Sequence, residues 1–247
     1  MSLPEDARPA AGPPDTAGQE RLLNHGALAI VGRVVDSSNA TFVVEVTEPD
    51  AYAWAIYKPE SGERPLWDFE PGLFRRERAA HLLDRALGWG LVPSTVIRDD
   101  APLGIGSLQW FVEFEPSAHY FTLLRDAPET HAALRRMAVF DLLANNTDRK
   151  GGHVLRDQDG RVWAIDHGLC FAAEFKLRTV IWDFTGDPIE PSVLESFAPL
   201  ADEVPAEVAE LLTDREVRAL RSRARRLLDS GILPADPTGR AWPWPLI

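Results

Sequence analysis

The sequence predicts a two-lobed α+β protein, and three observations point there. Short apolar segments bounded by turn residues follow one another from Gly26 to Phe114, apolar positions switch to helical spacing after Pro116, and a hydrophobic fraction of 45% in 247 residues suffices for one large domain or two modest lobes sharing a cleft. The change of pattern puts the junction near Glu115 to Ser117, giving an antiparallel-sheet N-lobe over 20–115 and a mainly helical C-lobe over 116–247.

Residues 1–19 are rich in Pro, Ala, Gly and Asp with no apolar period, so they read as a flexible tail that cannot offset its ordering entropy. Strand patterns then run over Ala27 to Val31, Arg33 to Val35, Thr41 to Val46 and Ala53 to Lys58. Phe74, Ala79, Leu82, Leu83, Ala86 and Leu87 share one helical face, and Gly88 and Gly90 supply the stop. Val92 to Ile97 and Ser107 to Phe114 resume the sheet. Beyond Pro116 the spacing predicts a buried helix over 129–144, two short strands around Asp159-Gly160, and helices near 191–200, 205–212 and 214–229. The Trp242-Pro243-Trp244-Pro245 segment reads as an aromatic clasp.

A formal net charge of -12 argues against a general nucleic-acid or anionic-membrane binder. The arginines from Arg215 to Arg226 are interrupted by Glu216, and a solvated helix face accounts for them. One cysteine, Cys170, excludes an internal disulfide and fits a reducing cytoplasm. Neither a signal peptide nor an apolar run of membrane-spanning length is visible, so a cytoplasmic enzyme is the default expectation.

The chemistry concentrates in Asn145-Asn146-Thr147-Asp148-Arg149-Lys150-Gly151-Gly152-His153 and in Val162-Trp163-Ala164-Ile165-Asp166-His167-Gly168-Leu169. A polar, glycine-bearing loop follows an apolar helix, and a strand pair then delivers a second carboxylate. Paired carboxylates of this kind suit phosphoryl transfer, where one orients or deprotonates a hydroxyl and the other holds the metal that neutralises phosphate charge. Asp141, on the preceding helix, is placed to brace the loop through its backbone amides.

These two segments resemble the catalytic and metal-binding loops of the type II phosphatidylinositol 4-kinases and of the wider phosphoinositide 3/4-kinase-like group. The likeness extends in order over Ser37-Ser38-Asn39-Ala40-Thr41-Phe42, Tyr57-Lys58-Pro59, Arg75-Arg76-Glu77-Arg78-Ala79-Ala80 and Gly106 to Glu113, covering about residues 26–185. Within the group it is most similar to an actinobacterial set of small kinase-like proteins. The resemblance implies a bilobal protein-kinase-like fold and a kinase that uses ATP with Mg2+ or Mn2+. It implies phosphate contacts from the turn at Ser37, Ser38 and Asn39 and from Lys58, with Glu77 holding Lys58 by a salt bridge. Trp110, Phe111, Val112, Glu113 and Phe114 would form the adenine slot and hinge. Asp148 would be the catalytic carboxylate, Arg149 its neighbour in the catalytic loop, and Asp166 the main metal ligand.

His153 departs from the pattern, standing where the group usually has an Asn as second metal ligand. Imidazole there acts through water, favours manganese or contacts phosphate as a cation, and Asn145 or Asn146 is the candidate to compensate. His153 and His167 beside Asp166 also admit a metal hydrolase, a reading that leaves Lys58 without a purpose. Lys176 and Arg178 read either as cations for an anionic acceptor or as partners of Glu174 and Asp183. The function expected is transfer of the terminal phosphoryl group to a hydroxyl of a small soluble acceptor, such as an inositol or sugar phosphate. A catalytically inactive nucleotide-binding module and an atypical protein kinase are the alternatives, and the sequence leaves oligomeric state open.

Overall fold

The computed structural model describes residues 15–35, 37, 39–236 and 238–247. Its contacts divide the chain into two compact units, Met1–Arg78 with Pro93–Val112, and Ala79–Val92 with Glu113–Ile247.

The first unit is built on a five-stranded antiparallel sheet of order β1-β2-β3-β5-β4, with β1 Ala27–Arg33, β2 Phe42–Glu48, β3 Ala51–Pro59, β4 Thr95–Arg98 and β5 Gly106–Trp110. Strand β1 takes in the expected segment at 27–31 and Arg33 of the one at 33–35, with Val34 and Val35 past its end, and its register against β2 shifts between Ile30 and Gly32 as at a β-bulge. Strand β5 ends at Trp110, short of the expected Phe114. Period-two alternation on β3 buries Ala53, Ala55 and Tyr57 and sends Trp54, Ile56 and Lys58 to the opposite face. A slip of one residue would turn Lys58 into the core, so the pairing of Tyr57 with Phe42 and Leu108 sets where its ammonium emerges.

Helix α1, Thr16–His25, corrects the expected tail for residues 16–19, while 1–14 lie outside the described residues. Asp15 caps it by accepting from Gly18 N at 2.8 Å, and Leu22 and Leu23 bury against Val44, Val46 and Leu108 of the sheet. The apolar pair that anchors the helix lies just beyond the polar stretch, which is why that stretch looks structureless by composition.

Helix α2, Leu73–Leu87, contributes residues to Arg78 to the first unit and from Ala79 to the second. A single break near 115–117 is therefore replaced by a division that also cuts α2. The physical reason is packing: Ala79, Ala80, Leu83 and Leu87 share a core with Leu134, Phe140 and Leu143. Asp84 reinforces this by accepting from Leu91 N and Val92 N at 3.0 and 3.1 Å.

The second unit adds α3 Tyr120–Asp126, α4 His131–Ala144, the hairpin β6 Val154–Arg156 with β7 Val162–Ala164, α5 Pro191–Phe197, α6 Ala206–Ala209 and α7 Asp214–Ser230. Helix α3 is an element that the sequence pattern did not single out. Helix α4 is the centre of the core, with every residue from Met137 to Ala144 buried, including Asp141. Helix α7 begins on a capping box between Thr213 and Glu216 and turns most of its arginines to solvent, but Arg223 is buried. The tryptophan tail is not a clasp. Trp244 is 86% exposed, and the segment docks instead through its backbone, Leu246 O accepting from Gly151 N at 2.6 Å.

Among the described residues no helix is long and apolar enough to cross a membrane. Leu143 is fully buried in the larger core, and Leu143→Ala is expected to lower unfolding stability by about 2–5 kcal/mol through lost transfer energy and a residual cavity. Urea denaturation followed by far-UV circular dichroism measures it.

Candidate active site

The loop after α4 starts with a left-handed residue. Asn145, at φ 52, ends the helix, and its fully buried side chain donates to Ala172 O and Glu174 O at 2.8 and 2.7 Å while accepting from Lys176 N at 2.9 Å. Asn fits because it tolerates this conformation and offers both donors and an acceptor. Asn146 is equally committed: its amide donates to Asp141 Oδ1 at 3.0 Å and its oxygen accepts from Asp148 N at 3.0 Å. Neither asparagine compensates for His153 as a metal ligand. Both hold the loop instead.

Beneath the loop, Asp141 and Arg149 form a salt bridge with both side chains wholly inaccessible. Arg149 Nε donates to Asp141 Oδ2 and Nη2 to Oδ1, each at 3.0 Å; Nη1 donates to Ile165 O at 2.7 Å and His153 O at 3.3 Å. Nη2 also meets His167 Nε2 at 2.8 Å. A guanidinium with no exposed area does not touch substrate, so the expectation that Arg149 is a catalytic residue is corrected: it positions the residues around it. Asp141 braces the loop as expected in place but not in kind, acting on side chains where backbone amides were anticipated. The same network spends His167 inside the core and removes the hydrolase reading that needed it as a ligand. A carboxylate inside the apolar run from Met137 to Ala144 was the available signal for this network, because a buried charge demands a buried partner.

Asp148 and Asp166 belong to the two loops that this network joins. Asp148 Oδ2 lies 3.0 Å from Lys150 Nζ, a partner that the motif did not single out. Burial pushes the Asp148 carboxyl above the ordinary carboxylate range, Lys150 pulls it back, and the negative charge of Asp166 adds to the rise. The hairpin β6–β7 delivers Asp166 at φ 62, about half exposed. His153 Nε2 lies 3.4 Å from Asp166 Oδ2, and its Nδ1 accepts from Lys150 N at 3.4 Å, which leaves the other nitrogen to carry the proton toward the carboxylate.

No group of three His, Cys, Asp or Glu suited to a metal occurs among the described residues. A resident all-protein cage does not fit this site. A magnesium or manganese ion held through one or two carboxylates and substrate phosphates does fit, with Asp166 as the accessible oxygen donor and His153 beside it.

In the first unit, Lys58 Nζ lies 2.5 Å from Glu77 Oε1, with the glutamate buried in α2 and the lysine partly accessible on β3. Ser37 and Thr41 hydroxyls share a hydrogen bond of 2.8 Å, and Asn39 Oδ1 accepts from Arg64 N at 3.0 Å, so this turn is internally tied. Ser38 lies outside the described residues. Trp110 N donates to Ser94 O and Phe111 N to Trp54 O, at 2.8 and 3.1 Å, and Val112 is buried. Glu113 and Phe114 belong to the second unit, where Phe114 bridges Asp157.

Lys176 and Arg178 line a cavity to which none of Asp148, His153 and Asp166 contributes. The acids expected to neutralise them have other partners, Glu174 with Arg215 and Asp183 with Tyr120.

A family model described as phosphatidylinositol 3- and 4-kinase matches residues 78–198. Protein Rv2133c of Mycobacterium tuberculosis is 42% identical over 264 residues, covering 92% of this chain and 95% of that protein. Phosphatidylinositol 4-kinase gamma 4 of Oryza sativa subsp. japonica is 28% identical over 166 residues, 59% of this chain and 27% of the plant protein. Among solved structures, the Helicobacter pylori proinflammatory kinase CtkA matches with a TM-score of 0.52 at 11% identity, covering 85% of this chain and 94% of that one. Hydra Fam20 with sugar matches with a TM-score of 0.51 at 13% identity, over 85% and 86%. These structural likenesses show that the fold is kinase-like.

Removing one partner of the inaccessible pair strands the other's charge. Asp141→Ala is therefore expected to cost about 3–5 kcal/mol, read from chemical denaturation, and Asp141→Ala combined with Arg149→Met to cost less than the sum of the two single changes.

Proposed function

The chain belongs to the phosphatidylinositol 3- and 4-kinase family, and from that premise we propose that it transfers the terminal phosphoryl group of ATP to a hydroxyl, with Mg2+ or Mn2+. Family and fold support a phosphotransferase. The observation that carries the finer reading is the shared anchor of the two carboxylate loops: Arg149, next after Asp148, donates from its guanidinium to Ile165 O, immediately before Asp166.

Asp148 acts as the base that orients the acceptor hydroxyl and takes its proton. Burial raises its pKa, which makes it a better proton acceptor than an ordinary aspartate, and Lys150 opposes the rise. Lys58 supplies a fixed positive charge for the phosphates, and Glu77 restrains it from wandering. Asp166 holds the metal with the help of the phosphates, and the proton on His153 Nε2 orients the carboxylate. Metal, when bound, neutralises the phosphate charge that builds as the bond to the leaving group breaks. The acceptor is a small soluble molecule, an inositol or sugar phosphate. In the first unit, Ser37 and Asn39 of the tied turn contact the phosphates, and Trp110 to Val112 meet the base.

His153 favours one second reading, a module that binds nucleotide without turning it over, because imidazole replaces a hard oxygen donor there. Thermal-shift titration with ATP and either metal, followed by an ATP-consumption screen over inositol phosphates, sugars and peptides, separates the two. Label on a peptide would indicate an atypical protein kinase.

Lys58→Met is expected to lower kcat/KM for ATP by about 10²–10³-fold, and Asp166→Ala to abolish turnover in a protein that still melts cooperatively. Turnover retained by well-folded Asp166→Ala would sink the mechanism. The pH dependence follows from the raised Asp148 pKa. The folded protein holds that proton to higher pH than the unfolded chain, whose carboxyl titrates near 3.8, so the group's contribution to stability falls as pH rises between the two values. Activity rises through the same upper value. Because Lys150 depresses it, Lys150→Ala should move the acid limb of kcat/KM to higher pH.

A further inference from the structure

The cavity containing Lys176 and Arg178 lies wholly in the second unit, between the segment after Asp166, helix α7 and residues 234–236 and 238–241. Its volume is about 580 Å³, within the range that small ligands fill. Leu142, Leu177, Trp182, Leu227 and Pro234 make its walls mainly aliphatic, and Phe175, 57% exposed, extends the apolar surface at its edge.

Charge around this cavity runs against the average of a chain carrying -12. Besides Lys176 and Arg178 it is lined by Arg223, Arg226 and Arg240, with Asp236 as the one acid. That acid is already used: Oδ1 accepts from Thr238 N and Oγ1, and Oδ2 from Ala241 N, each at 2.8 Å. Among the described residues, no carboxylate lies within ion-pair distance of Arg178, Arg226 or Arg240. Arg223 is more than nine-tenths buried; its Nε donates to Leu143 O at 2.7 Å and its Nη1 to Ala172 O at 3.3 Å, but Nη2 has no acceptor among the described residues. Burial and the neighbouring Arg226 push its guanidinium down to about 10. A buried N–H without an acceptor is costly, and three exposed arginines gathered beside it repel one another.

We propose that this cavity binds a single-chain anionic amphiphile, an acyl-sized apolar body carrying one phosphate or carboxylate, with the chain against Leu142, Leu177 and Leu227 and the anion among Arg178, Arg226 and Arg240. Both parts are required. Inorganic phosphate would leave the aliphatic walls wet, and a neutral chain would leave the arginines without a counter-charge. The site is separate from the carboxylate pair, and the inference does not rest on the kinase reading. It nevertheless touches the same loop: Arg178 N donates to Asn146 O at 2.9 Å, and Arg178 O accepts from Arg149 N at 3.0 Å.

The test is calorimetric titration of the full chain with dodecyl phosphate below its micelle concentration, beside inorganic phosphate and dodecanol. Saturable one-to-one binding of dodecyl phosphate alone is expected. The exposed triple variant Arg178→Glu, Arg226→Glu, Arg240→Glu should weaken it by at least about tenfold, with no loss of thermal stability. Ala235→Trp fills the cavity without changing its charge and should weaken binding as well, which keeps the idea testable if the triple variant does not fold. Failure to saturate, undiminished affinity in either folded variant, or equal binding of inorganic phosphate or dodecanol would overturn the proposal.

Discussion

One guanidinium ties together the two carboxylate-bearing loops of the second unit. Arg149 is held on one side by the carboxylate of Asp141, and on the other it donates to the carbonyl of Ile165, immediately before Asp166. Its own backbone sits next to Asp148. The backbone on either side of the site is thus tied to one buried group, and such a pair contributes geometry more than net stability, since desolvation cancels much of its attraction. The fork of donors matters here. A lysine at the same place could neutralise Asp141 but could not reach Ile165 O, His153 O and His167 at once.

Much of this fold could be read from residue patterns because the patterns are physical. Period-two alternation on β3 and the apolar face of α2 correspond to the buried sides of those elements. The two-carboxylate loops were legible for another reason, since their order and residue types are specific. What stayed hidden needed partners distant in sequence. Leu22 and Leu23 make a helix of a polar stretch because a sheet covers them, and Arg149 turns inward because Asp141 lies eight residues before it in a core helix. The bulge that carries β1 on to Arg33 and the exposure of Trp244 follow likewise from contacts that local wording does not encode.

In the proposed mechanism each unit supplies its own charged groups. In the first, the ammonium of Lys58 is set by sheet register and a buried glutamate; in the second, two carboxylate-bearing loops are tied by a buried arginine. The first is a charge held by an opposite charge on a rigid element, whereas in the second Asp148 pairs with Lys150 and Asp166 lies by His153, on loops whose backbone Arg149 ties down. The segment after Asp166 extends this arrangement. Asn145 clamps its start through Ala172 O, Glu174 O and Lys176 N, so the segment leading to Arg178 is tied to the loop that precedes Asp148.

The left-handed backbone of Asp166 restricts what evolution can place there. Glycine occupies that conformation freely and asparagine tolerates it, whereas glutamate, which would preserve the negative charge, meets a steric penalty. The replacements easiest on the main chain are therefore those that erase the anion. Under the proposed mechanism, the substitutions that the main chain accepts most readily at this position are ones that remove the metal ligand.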